Sequence, residues 1–199
     1  MKNMKKIFLF ICLSLAYLCV EAQEHIRFNG ATLGQSLENV ASSLKVFSGK
    51  RLGVSGKDNC WKYTGGIFGA YKCEYYISCD LNNEIVFEVA ACIPVDNVDR
   101  EIKPIIDVLK SKYEEYIDKD EDSGGHTVLL PNESHKHTYA IRRKSDNKLL
   151  GKVTILAFSF HSNNDWYSKT EGTISITYYD YAAAKAAKKE YGNIMNDIL

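Results

Sequence analysis

Two successive stretches of strict alternation constrain this chain more than anything else in it. Tyr71, Cys73, Tyr75, Ile77 and Cys79 repeat at every second residue, and beyond Asn82 and Asn83 the period resumes with Ile85, Phe87, Val89, Ala91 and Ile93. A period of two marks a strand with one buried face, and two such strands across a short polar turn form an antiparallel hairpin. Burial decides its register. A two-residue turn sets Cys73 opposite Cys92 but sends the two apolar stripes to opposite faces. A three-residue turn brings the stripes together and turns Cys92 away from Cys73 and Cys79, and this register is expected, because a slip of one residue exposes a whole apolar face.

The rest of the chain reads around that hairpin. His25 to Asn29 is a short strand, and Thr32 with Gln35 three residues on is a capping box for a helix that turns Leu33, Leu37, Val40 and Leu44 inward. Strands follow around Arg51 to Val54, Trp61 to Thr64 and Phe68 to Cys79, with a turn or bulge at Gly65 and Gly66. A second helix near Val98 to Ile117 carries Ile102, Ile105, Leu109, Tyr113 and Tyr116 on one face. Pro104 fits best in its first turn, so the regular helix is expected to start there. Tyr139 to Lys144 and Leu149 to Phe160 form a hairpin across Ser145 to Lys148, and Thr173 to Tyr179 is a further strand. Asp180 then caps a last helix whose stripe is Ala184, Ala187, Tyr191, Ile194 and Ile198.

This order predicts an α+β protein, an antiparallel sheet with packed helices. It is expected as a single domain over 23–199 with two similar halves, about 23–95 and 96–199, each a helix followed by strands. Leu37, Val40, Leu44, Phe87, Val89, Leu109, Phe158, Ile176 and Tyr191 are the predicted core.

The first twenty-two residues read as an export signal: Lys2, Lys5 and Lys6, then an apolar run from Ile7 to Val20, then Val20-Glu21-Ala22 at the cleavage site. The run is shorter than the ~20 residues that span a bilayer. A mature protein starting at Gln23, periplasmic or secreted and without a transmembrane anchor, is therefore expected. Lipidation at Cys19 is disfavoured, since Leu18 precedes it where lipoprotein processing wants a small residue. The mature chain keeps 22 basic and 24 acidic residues, a balance that gives no reason to expect a nucleic-acid partner.

Four cysteines remain after cleavage, Cys60, Cys73, Cys79 and Cys92, and an oxidising compartment leaves three pairings open. Cys73 and Cys79 lie about 20 Å apart along one strand, far beyond the roughly 7 Å limit for bridged Cα atoms. Any bridge is therefore expected to join Cys60 to Cys73 or Cys79, with unpaired thiols as the alternative.

The helix TLGQSLENVASSLK, the segment Gly-Gly-Ile-Phe-Gly-Ala-Tyr-Lys-Cys, the paired strands ending at Ile93-Pro94, the second amphipathic helix and the terminal YYDYAAAKAAKKE together resemble a family of small secreted proteins common in Bacteroidetes. The layout over Ile26 to Leu199 is also similar in outline to β-lactamase inhibitor proteins. The resemblance implies a duplicated helix-plus-sheet architecture and carries no catalytic residues to transfer.

Candidate sites are few. Asp118, Asp120 and Asp122 alternate carboxylates as a calcium loop does, but Ser123 and Leu129 stand where an EF-hand needs Gly and Glu. His135 and His137 share a strand face, with His126 and Glu133 nearby, yet a third zinc ligand is not assured. A thiol activated by a histidine such as His161 would need a base that the sequence does not bring close. Trp166 and Tyr167, in the loop His161 to Gly172, have the amphipathic aromatic character of a binding surface, and Trp61 and Tyr63 are similar. No phosphate-binding Gly-rich loop and no Gly-x-Ser-x-Gly elbow is present. The sequence thus favours a non-catalytic binding or structural module of the envelope, without cofactor or structural metal, its ligand a protein, glycan or small molecule. The alternative is a small metal-dependent or hydrolytic enzyme built on His126, His135 and His137.

Overall fold

The computed structural model describes residues 25–55, 58–115, 134–161 and 170–188. Ten strands run in chain order: β1 (Arg27–Phe28), β2 (Ala31–Thr32), β3 (Lys50–Ser55), β4 (Asp58–Phe68), β5 (Tyr71–Cys79), β6 (Val86–Val95), β7 (Glu114–Glu115), β8 (Ser134–Arg142), β9 (Leu149–His161) and β10 (Thr170–Asp180). Helix α1 (Leu37–Ser43) precedes β3, α2 (Val98–Lys112) follows β6, and α3 (residues 181–188) follows β10. The protein is α+β. Strands β1 and β2 form a ribbon, and the other eight form one antiparallel sheet in the order β3-β4-β5-β6-β10-β9-β8-β7.

The β5–β6 register is the one that burial demands. Ile77 faces Val89 and Tyr75 faces Ala91, while Cys92 pairs with Glu74 on the opposite face. Apolar rows then cross the sheet. Ile77, Val89, Tyr178, Val153 and Tyr139 are successive cross-strand partners and all are buried. The β1–β2 ribbon, α1 and α2 cover this face, and Phe28 lies at its centre, stacked on Phe68 at 5.4 Å and edge-on to Tyr75 at 5.6 Å and Tyr178 at 5.1 Å.

The Gly65-Gly66 pair does what a bulge requires. Gly65 takes a positive φ of 78°, and a Cβ on Gly66 would stand 2.6 Å from the Tyr75 ring. The register shifts between Tyr63 and Gly66, so β4 runs on through the bulge as one long strand.

Four sequence expectations are corrected. Thr32 ends β2 and does not cap a helix; α1 starts four residues later, capped by Ser36, whose Oγ accepts from the Asn39 amide at 3.4 Å. Leu33 is nonetheless buried, held by its amide to the Ile26 carbonyl, so inward placement survives without helical geometry. In α2, Asn97 is the cap, its side chain accepting from the Arg100 amide at 3.0 Å, and Pro104 lies inside the helix, its cost offset by that cap together with the burial of Val98, Ile102, Ile105 and Leu109. That helix ends at Lys112, where Tyr113 turns extended into β7. A second bulge, between Ser78 and Cys79 opposite Glu88 and Val86, takes Phe87 out of the inward stripe. Phe87 packs instead with Ala183, Ala184 and Ala187 of α3, in a cluster separate from the main core.

Of the predicted core, Leu37, Val40, Leu44, Phe87, Val89, Leu109 and Ile176 are buried. Phe158 is half-buried on the opposite face, because Val153, Ile155 and Ala157 hold the inward register of β9. Tyr191 lies outside the described residues.

Asp180 closes the fold. Its fully buried carboxylate accepts from the Ala183 amide at 2.9 Å as the cap of α3, from the Ile26 amide at 2.8 Å, and from His25 Nδ1 at 3.2 Å. Asp180→Ala is expected to cost about 3 kcal/mol, since it removes a cap and orphans a buried amide. Urea unfolding checks this, and a midpoint equal to wild type would show that the carboxylate does not hold the two ends together.

Candidate binding groove

One end of the sheet is organised by amide and carboxylate side chains. Asp80, 4 % exposed, follows β5 and wraps the turn to β6, its carboxylate accepting from the amides of Asn82 (3.2 Å), Glu84 (2.7 Å) and Ile85 (2.7 Å). This is the turn chemistry for which Asp is suited, a short acceptor that satisfies its own following backbone. Asn83 takes φ 62°, the left-handed region that Asn tolerates. Its side-chain oxygen accepts from Asn59 Nδ2 (3.2 Å), Trp61 Nε1 (3.0 Å) and Cys79 Sγ (3.3 Å).

Asn59, 1 % exposed, carries the network into β4. It donates to the Asp80 and Leu81 carbonyls at 3.1 and 2.8 Å and accepts from Arg51 Nη2 at 2.5 Å. The Leu37 amide at the start of α1 bonds the Asn83 carbonyl at 2.9 Å. Helix, strand and turn are thereby fixed to one another.

Between these elements lies an open groove of about 800 Å³. Its walls are α1, the segment 46–49, Trp61 and Tyr63 of β4, and the turn 82–84. Phe47 projects into solvent, 77 % exposed, from a loop in which Lys45 (φ 58°) and Ser48 (φ 60°) both occupy the left-handed region. Lys45 closes α1 as an ordinary helix ending, its amide bonding the Ser42 carbonyl and the Val46 amide the Ala41 carbonyl, whereas Ser48 bears a cost of roughly 1 kcal/mol or more. That cost is borne beside an apolar ring that stays largely in solvent. Trp61 is half-buried, with its indole N–H held by Asn83, and Tyr63 is buried, its phenol pushed up by that burial. Ser36, Ser42, Ser48 and Asn82 add hydroxyl and amide groups to the lining, and Glu38 and Glu84 are its only charges.

Trp61 and Tyr63, two of the aromatic candidates of the sequence, line this groove, and the other candidates fall elsewhere. His137 is half-buried on β8 opposite Ile155, and the backbone of His135 pairs with Ala157. Among the described residues, no three His, Cys, Asp or Glu side chains are grouped to hold a metal. His126, Asp118, Asp120, Asp122, Trp166 and Tyr167 lie outside the described residues. Also among the described residues, no helix is long and apolar enough to cross a membrane.

The sequence left open a bridge from Cys60 to Cys73 or Cys79, or unpaired thiols. Cys60, Cys73, Cys79 and Cys92 are all unbridged. Register is the reason: Cys60 pairs with Ser78, while Asn59 pairs with Cys79, so Cys60 projects from the face opposite Cys73 and Cys79. Burial, first of all, pushes the Cys60, Cys73 and Cys92 thiols up, with Glu88 adding to the effect at Cys60. That is the reverse of what a nucleophilic thiol needs.

Phe47, Asn59 and Asn83 escaped the sequence reading. Asn83 had been recognised only as a turn residue, and nothing in Val46-Phe47-Ser48 distinguishes an exposed ring from a core one. In comparison with known proteins, no family model matches this chain, and neither a curated protein nor a solved structure matches it.

Two outcomes are expected. Asn59→Ala leaves the Leu81 carbonyl without its amide donor and the Asp80 carbonyl with the Asn83 amide alone, and should cost about 2 kcal/mol in a denaturation midpoint, with faster amide exchange at Glu84 and Ile85. Iodoacetamide should label Cys60 and Cys92 half-maximally only above the ordinary thiol value of about pH 8.5, because a raised pKa keeps the thiolate scarce below it. Rapid labelling at pH 7 would mean that these thiols are activated.

Proposed function

We propose that this protein is a non-catalytic binding module of the cell envelope, and that its ligand is a neutral glycan seated in the groove between α1, β4 and the 82–84 turn. The exposure of Phe47 beside Ser48, a non-glycine residue held in the left-handed region, carries this reading. Backbone strain persists where the surroundings impose it, and an exposed ring held that way has its use in a ligand that covers it.

The lining names the class. Sugars present apolar C–H faces that pack on aromatic rings and hydroxyls that bond amides and carboxylates. Phe47 and Trp61 offer the first contact; Ser36, Ser42, Asn82, Glu38 and Glu84 offer the second. The two carboxylates oppose an anionic ligand. Both are exposed, whereas a glycosidase acid working near neutral pH is held protonated by burial. The predicted leader supplies the compartment, and removal of residues 1–22 would release the module there.

The asparagine network gives the groove a rigid wall, so little ordering is left to oppose binding. Phe47→Ala should leave the thermal midpoint unchanged and weaken binding of neutral oligosaccharides about ten-fold, close to 1.4 kcal/mol. Calorimetric titration with glucan, xylan and mannan oligomers checks it. If none of these binds the wild-type protein, or if Phe47→Ala binds as tightly, the glycan reading fails.

A further inference from the structure

A second concavity lies between α2 and the tip of the β4–β5 hairpin, apart from the groove. It measures about 230 Å³, and Phe68, Tyr71, Ile105, Leu109, Ile176 and Tyr178 form its walls. Its interior is apolar even where tyrosines line it, because both phenols are engaged. The Tyr71 hydroxyl donates to Glu101 Oε2 at 3.1 Å, and the Tyr178 hydroxyl interacts with that of Tyr113. Glu101 is itself paired with Arg100 at 2.8 Å.

The mouth differs from the interior. Val108 stands there 51 % exposed, and Lys112 is the one charged residue of the lining, solvent-exposed and without an ion pair among the described residues. A dry cavity of ~150 Å³ admits benzene, so this one has room for about nine non-hydrogen atoms. Size, an apolar lining and one cation at the rim together describe an amphiphile with a single negative head.

We propose that this cavity binds a small free carboxylic acid with an aliphatic or aryl body of about eight carbons, the body between α2 and β10 and the carboxylate paired with Lys112. The site is independent of the groove, and neither reading requires the other. An apolar body gains by leaving water for such a pocket. The head stays at the rim, where the lysine ammonium is reached without burying a charge.

The test uses the mature full-length protein, with octanoate, 3-phenylpropionate, octanol and octylammonium titrated at fixed ionic strength. Calorimetry reads the affinity, and the methyl resonances of Ile105, Leu109 and Ile176 report the location. Octanoate or phenylpropionate is expected to saturate in the millimolar range or below and to shift those methyls, with octylammonium at least ten-fold weaker. Lys112→Glu, an exposed substitution, should weaken the acids at least ten-fold and octanol less than two-fold. Val108→Trp should close the mouth and abolish both, with an unchanged circular dichroism spectrum for each variant. The proposal is overturned if neither acid binds, if the core methyls stay still while heat is released, or if Lys112→Glu binds the acids as wild type does. Because no oligosaccharide enters this experiment, its failure leaves the groove reading standing, and the reverse also holds.

Discussion

The pairing of β6 with β10 is the constraint on which the rest of the structure depends. Strands β3 to β6 form one meander and β8 to β10 another, and only this pair, from Val95 opposite Gly172 to Glu88 opposite Tyr179, makes them one sheet. Some eighty residues separate the partners, so the contact carries a loop-closure cost that local strands avoid. Offsetting it are the inward rows, in which Ile174 meets Ile93 and Ile176 meets Ala91, all fully or almost fully buried. Gly172 lets β10 lie close to β9 and α2, since a Cβ there would stand 2.3 Å from both the Phe158 carbonyl oxygen and a methyl of Val98. Asp180 at the far end of β10 then fastens the first described residues to the last helix.

Periodicity made the sheet legible, and its limits mark where the sequence was silent. Alternation identified β5, β6, β9 and β10 and set the parity of the central hairpin, because every residue of a buried stripe votes for the same face. Single-residue events have no such redundancy. The bulge that redirects Phe87 changes one contact, and the sequence around Val86-Phe87 does not display it. Thr32 and Ser36 both satisfy a cap pattern, and the choice fell to the β1–β2 ribbon, whose pairing of Arg27 with Thr32 claims the first of them. The site was less legible still. Asn82 and Asn83 signalled a turn, but that Asn83 would gather donors from Asn59, Trp61 and Cys79 follows only from the register of three strands.

The same polar network explains why the thiols remain structural. Cys79 donates to Asn83 inside the sheet end, and the inward register leaves it no sulfur to meet, since Cys60 faces the other way. Cys73 and Cys79 act as small apolar residues in the row of Tyr75 and Ile77, where a larger side chain would crowd the helices above. Four cysteines behind a predicted leader invite a disulfide reading; parity, more than compartment, decides whether two of them can meet.

Strand β4 relates the two concavities. Trp61 and Tyr63 reach the groove from one side of the Gly65-Gly66 bulge, and Phe68 reaches the α2 cavity from the other. The bulge breaks the regular register between them, yet Tyr75 spans it, its ring beneath Gly66 and its hydroxyl bonded to the Ile67 carbonyl and Asn29. Phe28 packs on Phe68, Tyr75 and Tyr178 at once, so the wall of the cavity is stiffened by the ribbon that begins the described chain. Rigid aromatic packing on one side and fixed amides on the other leave the 45–48 loop and the mouth at Val108 as the parts of these sites without a covering layer. A ligand at either place meets a surface already formed, and its affinity is then set by the few groups that remain uncovered: Phe47 in the groove, Val108 and Lys112 at the cavity.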